Sequence, residues 1–416
     1  MILMQSNLNN EIDMDYLCKK VKFFIGDETI IKNAANTPSL PTFSEEVVKL
    51  LDDFSRRLFK NPMSRNYSDV ITLGFWCRKA SVMEMKNNTA VRGLRLGRGI
   101  AFHIAPSNVA VNFAYSLIAS LLAGNINIVR LPSKNFEQID IVIEAFKGAL
   151  EDNEGMKEYI SFVKYDRDKK VNDIFSSICD IRVIWGGDNT IASLRQSPIK
   201  ARTKEICFAD RYSICIINSD VYVEEKRYEE IAKKFYNDTY LSDQNACTSP
   251  KLVVWTGNSS DKARELFWTE LEKMIKDSYQ VSAVQVVGKF TSIYRYAGES
   301  EEGVNPKIVF FDKENKINRV IINKVEERIM ELEQNSGLFF EYMTNNLEDI
   351  IPICNKKLQT IAVYGVDRSS IEDFVIKARP RGIDRVVEIG KTMVFSLVWD
   401  GYNLIEEMSR EISILI

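Results

Sequence analysis

Two kinds of apolar spacing alternate along the chain. Over residues 44–60, Val47, Val48, Leu51, Phe54 and Leu58 recur at helical intervals behind Ser44, a side chain able to cap, and Asn61-Pro62 stops the run. The spacing predicts a second helix over about 68–86. Beyond Gly97 the pattern changes to short apolar runs separated by helical segments: strand 100–104, helix 107–123 ended by Gly124, strand 126–131, helix 136–151. Strand 160–165, a helix near 171–177, strand 182–185 and a short helix from Asn189 continue it. Strands spaced by helices of this length are the signature of βαβ units in a parallel sheet. Ligands bind such sheets at the carboxyl ends of the strands, here the loops 105–108, 132–134 and 186–189.

After Ile217 a second α/β unit begins, with helix 227–240, strand 252–255, helix 261–276 and further strand and helix material to about Gly365. This gives four expected segments: an N-terminal helical part (1–90), a nucleotide-binding domain (91–217), a second α/β domain (218–378) and a C-terminal return (379–416).

Composition narrows the chemistry. The 416 residues carry 55 Lys plus Arg against 58 Asp plus Glu, a net charge of −3 with no basic block, which argues against binding a nucleic-acid backbone. With one histidine, His103, a His-rich metal site is excluded and no metal is expected. As a lone imidazole among apolar neighbours, His103 reads as a satisfied core residue or as a contact to cofactor or substrate. Seven scattered cysteines without a C-x-x-C read as reduced thiols of a cytoplasmic protein, and the N-terminus lacks the features of a signal peptide. No acidic or basic side chain lies between Arg98 and Arg130, but Pro106, Gly124 and four asparagines interrupt that stretch. Its cleanest helical piece, 109–123, falls short of the roughly 20 residues a membrane span needs, so a buried helix is expected.

Neither G-x-x-x-x-G-K-[ST] nor a G-x-G-x-x-G placed after a strand occurs. Cys247 is the thiol that stands apart, in the polar segment 242–250 between a helix and a strand; the other six lie mostly in apolar or helical contexts. Such a loop can lower a thiol pKa and supply donors to an oxyanion, whereas an ordinary cysteine is core. Asn108 on its own reads as a residue satisfying helix N-terminal amides.

Taken in order, Ala105-Pro106-Ser107-Asn108, Ala123-Gly124-Asn125, Leu131-Pro132-Ser133, Trp185-Gly186-Gly187 and Gln244-Asn245-Ala246-Cys247 resemble the aldehyde dehydrogenase superfamily. They are most similar to the LuxC-type (long-chain fatty) acyl-CoA reductase family. Segments 208–213, 358–365, 379–385 and 399–402 extend the resemblance over about residues 95–405. It implies an aldehyde-dehydrogenase-like α/β fold: a Rossmann-like cofactor domain, an α/β catalytic domain and a small oligomerisation element, in a homo-oligomer.

The activity implied is reduction of a long-chain acyl-CoA to a fatty aldehyde through an acyl-Cys247 thioester. The side-chain amide of Asn108 and the backbone N–H of Cys247 would hold the oxyanion, and Gln244 and Asn245 would flank the substrate, Gln244 having an ordinary structural reading as well. Ala105, Pro106, Ser107, Arg130, Ser133, Lys134, Gly186 and Gly187 would bind the dinucleotide. The cationic loop favours NADPH over NADH, although Leu131 stands where the superfamily usually has lysine. Asp188 replaces a usual serine and reads as a helix N-cap. Cys207-Phe208-Ala209-Asp210 replaces the region that carries the water-activating glutamate of hydrolytic relatives, so reduction is favoured over acid formation; Asp210-Arg211 has the ordinary reading of an ion pair. Alternatives are acylation by a partner acyl-protein synthetase, as in luminescence systems, and a non-catalytic acyl carrier or assembly subunit of the same fold.

Overall fold

The computed structural model describes residues 13–89, 93–107, 109–299, 306–310, 312–332 and 335–416, with the side chain of residue 310 left aside. Contacts divide the chain into two compact units, Met1–Ala209 with Leu397–Ile416, and Asp210–Ser396.

In the first unit, β1 (Lys22–Ile25), β2 (Ile100–Ile104), β3 (Ile126–Arg130), β4 (Ile160–Lys164), β5 (Ile181–Trp185) and β6 (Lys204–Phe208) form one sheet in the order β1-β4-β3-β2-β5-β6. All neighbours are parallel except β1, which adds antiparallel to β4. Every residue of β2 and β5 is buried, which explains why these strands read as unbroken apolar runs rather than alternating ones. The chain leaves β2 toward β3 and β4 on one side and returns to β5 and β6 on the other. The carboxyl ends of β2 and β5 therefore flank a topological switch point, where doubly wound sheets bind ligands.

The helices that cover this sheet follow the pattern with informative shifts. Helix α1 (Glu45–Lys60) starts at the expected cap, the Ser44 hydroxyl accepting the Val47 N–H at 3.5 Å. The helix expected over 68–86 is two, Ser68–Cys77 and Lys79–Asn88, because Arg78 adopts an extended backbone (φ −59°, ψ 142°) between them. Helix α2 (Asn112–Leu122) begins at Asn112 instead of residue 107, so the described residues 105–107 and 109–111 that follow β2 are not helical, and from Phe113 onward α2 is wholly buried. Gly124 ends α2 at φ +92°, where a Cβ would meet the Leu40 carbonyl oxygen at 2.0 Å; only glycine fits that approach. Helices α3 (Glu137–Glu151), α4 (Lys169–Ile178) and α5 (Asp188–Leu194) complete the βα alternation. Gly187, not Asp188, is the N-cap of α5; Asp188 is its first residue.

The second unit holds a seven-stranded sheet built from β7 (Tyr212–Asn218), β8 (Pro250–Thr256), β9 (Lys307–Phe310), β10 (Asn318–Ile322), β11 (Leu338–Met343), β12 (Leu358–Tyr364) and β13 (Arg385–Glu388). Their order is β9-β10-β11-β8-β7-β12-β13, parallel apart from β9 against β10. Because β7 pairs with β8 and β12, this unit begins at Asp210 rather than 218, and because β13 pairs with β12 it extends to Ser396 rather than 378. Alternation sends Ile214, Leu252, Val254 and Phe340 to one face of the sheet and Cys215, Val253, Trp255 and Phe339 to the other. Helices α6 (Tyr228–Thr239), α7 (Ser260–Ile275) and α8 (Ala283–Glu299) pack in this unit, α6 and α7 close to their expected bounds.

One buried carboxylate, Glu341 on β11, ties this unit together. Its Oε2 accepts the indole N–H of Trp255 (3.0 Å) and of Trp268 (2.9 Å) and the Arg264 Nε–H (2.8 Å), and its Oε1 accepts Arg319 (2.9 Å) and Arg264 (3.2 Å). Among the described residues no helix is long and apolar enough to cross a membrane. Glu341→Leu removes the carboxylate that two buried guanidinium groups and two indole N–H groups share and is expected to lower stability by about 3–5 kcal/mol in urea unfolding; a loss below about 1 kcal/mol contradicts this role for the carboxylate.

Candidate active site

Helix α6 ends in a single 3₁₀ turn, Tyr240–Ser242, and the chain then takes two successive left-handed residues, Asp243 and Gln244, each at φ 52°. Left-handed backbone is unfavourable for a glutamine, so the surroundings must hold it. They do: Gln244 is fully buried, its Oε1 accepts the Gly337 N–H at 2.7 Å, and its Nε2 donates to the carbonyls of Pro250 (3.2 Å) and Leu338 (3.3 Å). Lys251 Nζ donates to the Gln244 carbonyl at 3.0 Å. Every polar atom of the Gln244 amide is thus committed to backbone, and the residue is a brace of the loop.

Asp243 extends the brace. Its carboxylate accepts the hydroxyls of Tyr279 and Ser336 and the Gln285 amide (2.7 Å, from α8). Lys289, also on α8 and buried, donates to the carbonyls of Asn315 and Ser336; burial pulls its ammonium down to about 8. Asn245 is exposed at the outer edge of the loop, and Cys247 is half-buried in the turn that follows. The Ser213 hydroxyl of β7 donates to the Cys247 carbonyl at 2.8 Å, and Ser249 N–H to the Ala246 carbonyl at 2.9 Å, so the backbone on both sides of the sulfur is tied before β8 begins.

No two of the seven cysteines form a disulfide. Burial pushes the thiols of Cys77 and Cys215 well up, those of Cys179 and Cys354 to about 12, and that of Cys207 to about 11. Cys247 is half-buried in a loop whose neighbouring side chains are hydroxyls, amides and a lysine.

In the first unit the structure brings the expected dinucleotide residues to the carboxyl ends of β2, β3 and β5. Ala105, Pro106 and Ser107 follow β2, and Asn108 lies outside the described residues. Ser133 and Lys134 are exposed in the loop after β3. Arg130 is otherwise engaged: its guanidinium stacks on the Tyr165 ring (4.4 Å to the centroid) and donates to the carbonyls of Tyr165 and Asp166 at 3.3 and 3.4 Å. Gly186 and Gly187 join β5 to α5, and Gly187 accepts the N–H groups of Thr190 and Ile191.

His103, beneath this end of the sheet, is a core residue. The Trp185 indole N–H donates to Ser116 Oγ (3.1 Å), leaving the Ser116 hydroxyl to donate to His103 Nδ1 (2.8 Å) and the imidazole Nε2–H to donate to Asn127 Oδ1 (3.1 Å). The Asn127 amide donates in turn to the carbonyls of Asn125 and Tyr159. This relay fixes a neutral ring, and burial pulls its pKa down to about 4.

The model of the acyl-CoA reductase (LuxC) family matches residues 31–411. The chain belongs to that family. No curated protein matches it by sequence. Among solved structures it is similar to an NAD-dependent benzaldehyde dehydrogenase from Corynebacterium glutamicum (14% identity, TM-score 0.60, covering 91% of this chain and 86% of that one). It is also similar to aldehyde dehydrogenase 21 from Physcomitrella patens (12% identity, TM-score 0.65, covering 92% and 88%). At these identities the likeness establishes the aldehyde-dehydrogenase-like fold. Family membership makes the chain an oxidoreductase of acyl thioesters.

The region that departs from hydrolytic relatives is also accounted for. Cys207 is half-buried, 3.6 Å from Arg195 Nη2, and Arg211 pairs with Asp384 and donates to the Leu358 carbonyl at 3.0 Å, so its partner is not the adjacent Asp210 alone. Sequence reasoning missed Asp243 and Lys289, whose partners lie tens of residues away; the only local signal was a charged residue beside a buried glutamine.

Two outcomes follow from this geometry. Gln244→Ala strands the buried Gly337 N–H and leaves a left-handed residue unbraced, so it should destabilise the protein by about 3 kcal/mol and alter Cys247 alkylation by iodoacetamide; unchanged stability and alkylation contradict the brace. His103 has a depressed native pKa, so the stability that its neutral burial allows is complete above about pH 6.5 and falls by about 1.4 kcal/mol per unit as pH drops toward 4. Its imidazole resonance, unique in this chain, should show no titration near pH 6.5; a midpoint there contradicts the relay.

Proposed function

We propose that this chain reduces a long-chain fatty acyl-CoA to the fatty aldehyde with NADPH, through a thioester on Cys247. The observation that carries the reading is a half-buried thiol in a polar loop whose backbone is pinned on both sides, in a chain of the acyl-CoA reductase family. The Cys247 thiolate attacks the acyl carbonyl carbon, and the electron pair moves onto oxygen. Collapse of that oxyanion expels the CoA thiolate, which takes up a proton, and leaves the acyl group on sulfur. The backbone N–H of Cys247 is the proposed donor to the oxyanion in this unit; the part of Asn108, as a second donor, rests on the resemblance alone.

Reduction needs a nicotinamide, which supplies a hydride when bound. Residues 105–107 and the side-chain-free pair Gly186-Gly187, at the strand ends that flank the switch point, and Ser133 and Lys134, in the loop after β3, would hold such a group. Lys134, exposed in the loop after β3, is the cation suited to a ribose 2′-phosphate and favours NADPH, while Arg130 shapes the loop by holding residues 165 and 166. The hemithioacetal oxyanion that hydride delivery would leave on Cys247 would collapse to the carbonyl, releasing the aldehyde and returning the Cys247 thiolate. Nothing comparable to the water-activating glutamate stands at Cys207, which favours reduction over hydrolysis of the acyl group.

Acyl-CoA-dependent NADPH oxidation with aldehyde formation should fall by at least about 10³-fold in Cys247→Ala. Undiminished turnover in that variant contradicts the mechanism. Turnover that appears only when an acyl-protein synthetase and acyl adenylate replace acyl-CoA overturns the assignment of the donor.

A further inference from the structure

Asp238, on α6 nine residues before the nucleophile, is fully buried. Its Oδ2 accepts the Gly390 N–H at 2.6 Å and its Oδ1 the Thr392 N–H at 3.0 Å. From β13, Arg385 holds the same segment by donating to the carbonyls of Thr392 (3.2 Å) and Val394 (3.0 Å). The segment is therefore gripped by a carboxylate on its N–H groups and by a guanidinium on its carbonyls. Thr392 and Phe395 turn inward, 0% and 6% exposed, while the apolar Met393 and Val394 turn outward, 41% and 48% exposed. Met393 is not loose: its sulfur accepts the Thr248 hydroxyl at 3.0 Å, and Thr248 is the residue after Cys247. Gly390 permits the turn with φ +93°.

An apolar pair of which Met393 is bonded to the residue next to Cys247 offers methylene groups an apolar surface, where most of the loop offers hydroxyls and amides. We propose that Asp238 is a positioning residue for acyl recognition: by fixing residues 390–395 it stands Met393 and Val394 beside Cys247 as a wall against which the alkyl chain of the acyl group lies. This rests on the acyl-Cys247 reading and adds to it the element that measures chain length. Asp238 touches no reacting atom and acts through Gly390 and Thr392.

The test compares KM and kcat for butanoyl-CoA and tetradecanoyl-CoA in the full-length enzyme, together with amide hydrogen exchange at Gly390 and Thr392. Asp238→Ala should speed exchange at both amides and raise the tetradecanoyl-to-butanoyl KM ratio by at least about fivefold, with a smaller change in kcat. Asp238→Asn, which keeps one acceptor, should fall between. Met393→Ala, at an exposed side chain, should raise the same ratio without faster exchange, and it reports on the wall even where Asp238→Ala does not fold. If the wild type is acylated at Cys247 but Met393→Ala leaves the KM ratio unchanged, or Asp238→Ala changes both substrates by one common factor, the positioning role is overturned. If the wild type accepts acyl groups of neither length, the acyl-cysteine reading falls and this inference falls with it.

Discussion

The side-chain amide of Gln244 is the tie on which the Cys247 loop depends, because the backbone there runs against its own preference. Two consecutive non-glycine residues in the left-handed region, at roughly 1–3 kcal/mol each, would relax toward ordinary turn geometry if nothing opposed them. The amide opposes them by bonding to backbone at residues 250, 337 and 338, which belong to two neighbouring strands or their approaches. The loop thereby acquires the rigidity of the sheet. Cys247, three residues on, has its carbonyl fixed to β7 by Ser213 and is presented by a frame rather than by a free loop.

The same device recurs at four other buried polar groups. Glu341 gathers two indoles and two arginines, Asp238 caps two amides, Lys289 ends on two carbonyls, and His103 sits inside a hydroxyl-imidazole-amide relay. Each such group would be expensive if unanswered, so each also selects the one arrangement of strands and helices that answers it. Three of the four lie in the cysteine-bearing unit. There the ties run outward from the loop: Gln244 to β8 and β11, Asp243 to α8, and Asp238 from the helix that leads into the loop to the segment after β13. Acyl transfer asks for this kind of preorganisation, since an oxyanion donor is effective only if it is already in place when charge develops.

What was legible in the sequence was what periodicity can express. The buried parallel strands read as apolar runs, and α1, α3, α6 and α7 as helical spacings, because in these elements burial on one or both faces sets the residue pattern. The polar setting of Cys247 was legible for the same reason, as an interruption of pattern. The failures have equally local causes. Residues 107 and 109–111 are as helix-compatible as those that follow, yet the chain keeps them non-helical at the mouth of the switch point. Arg78 breaks a helix without a proline or glycine to announce it. Strand β1, four residues at the sheet edge, is too short to show a period, and β7 was assigned to the first domain because nothing in one strand tells which sheet it will join. Nothing in the local sequence sets Asp238, Asp243 and Glu341 apart from other carboxylates, since the partners that hold them arrive from 22 to 154 residues away.

The account stands on one sulfur in one braced loop becoming the acyl carrier. Intact mass of the full-length protein after incubation with tetradecanoyl-CoA in the absence of any nicotinamide, followed by peptide mapping, tests it most directly. The expected result is a single acyl adduct on the peptide containing Cys247, removed by hydroxylamine as a thioester is. An adduct on Cys207 or Cys18 instead, or no adduct at all, contradicts it.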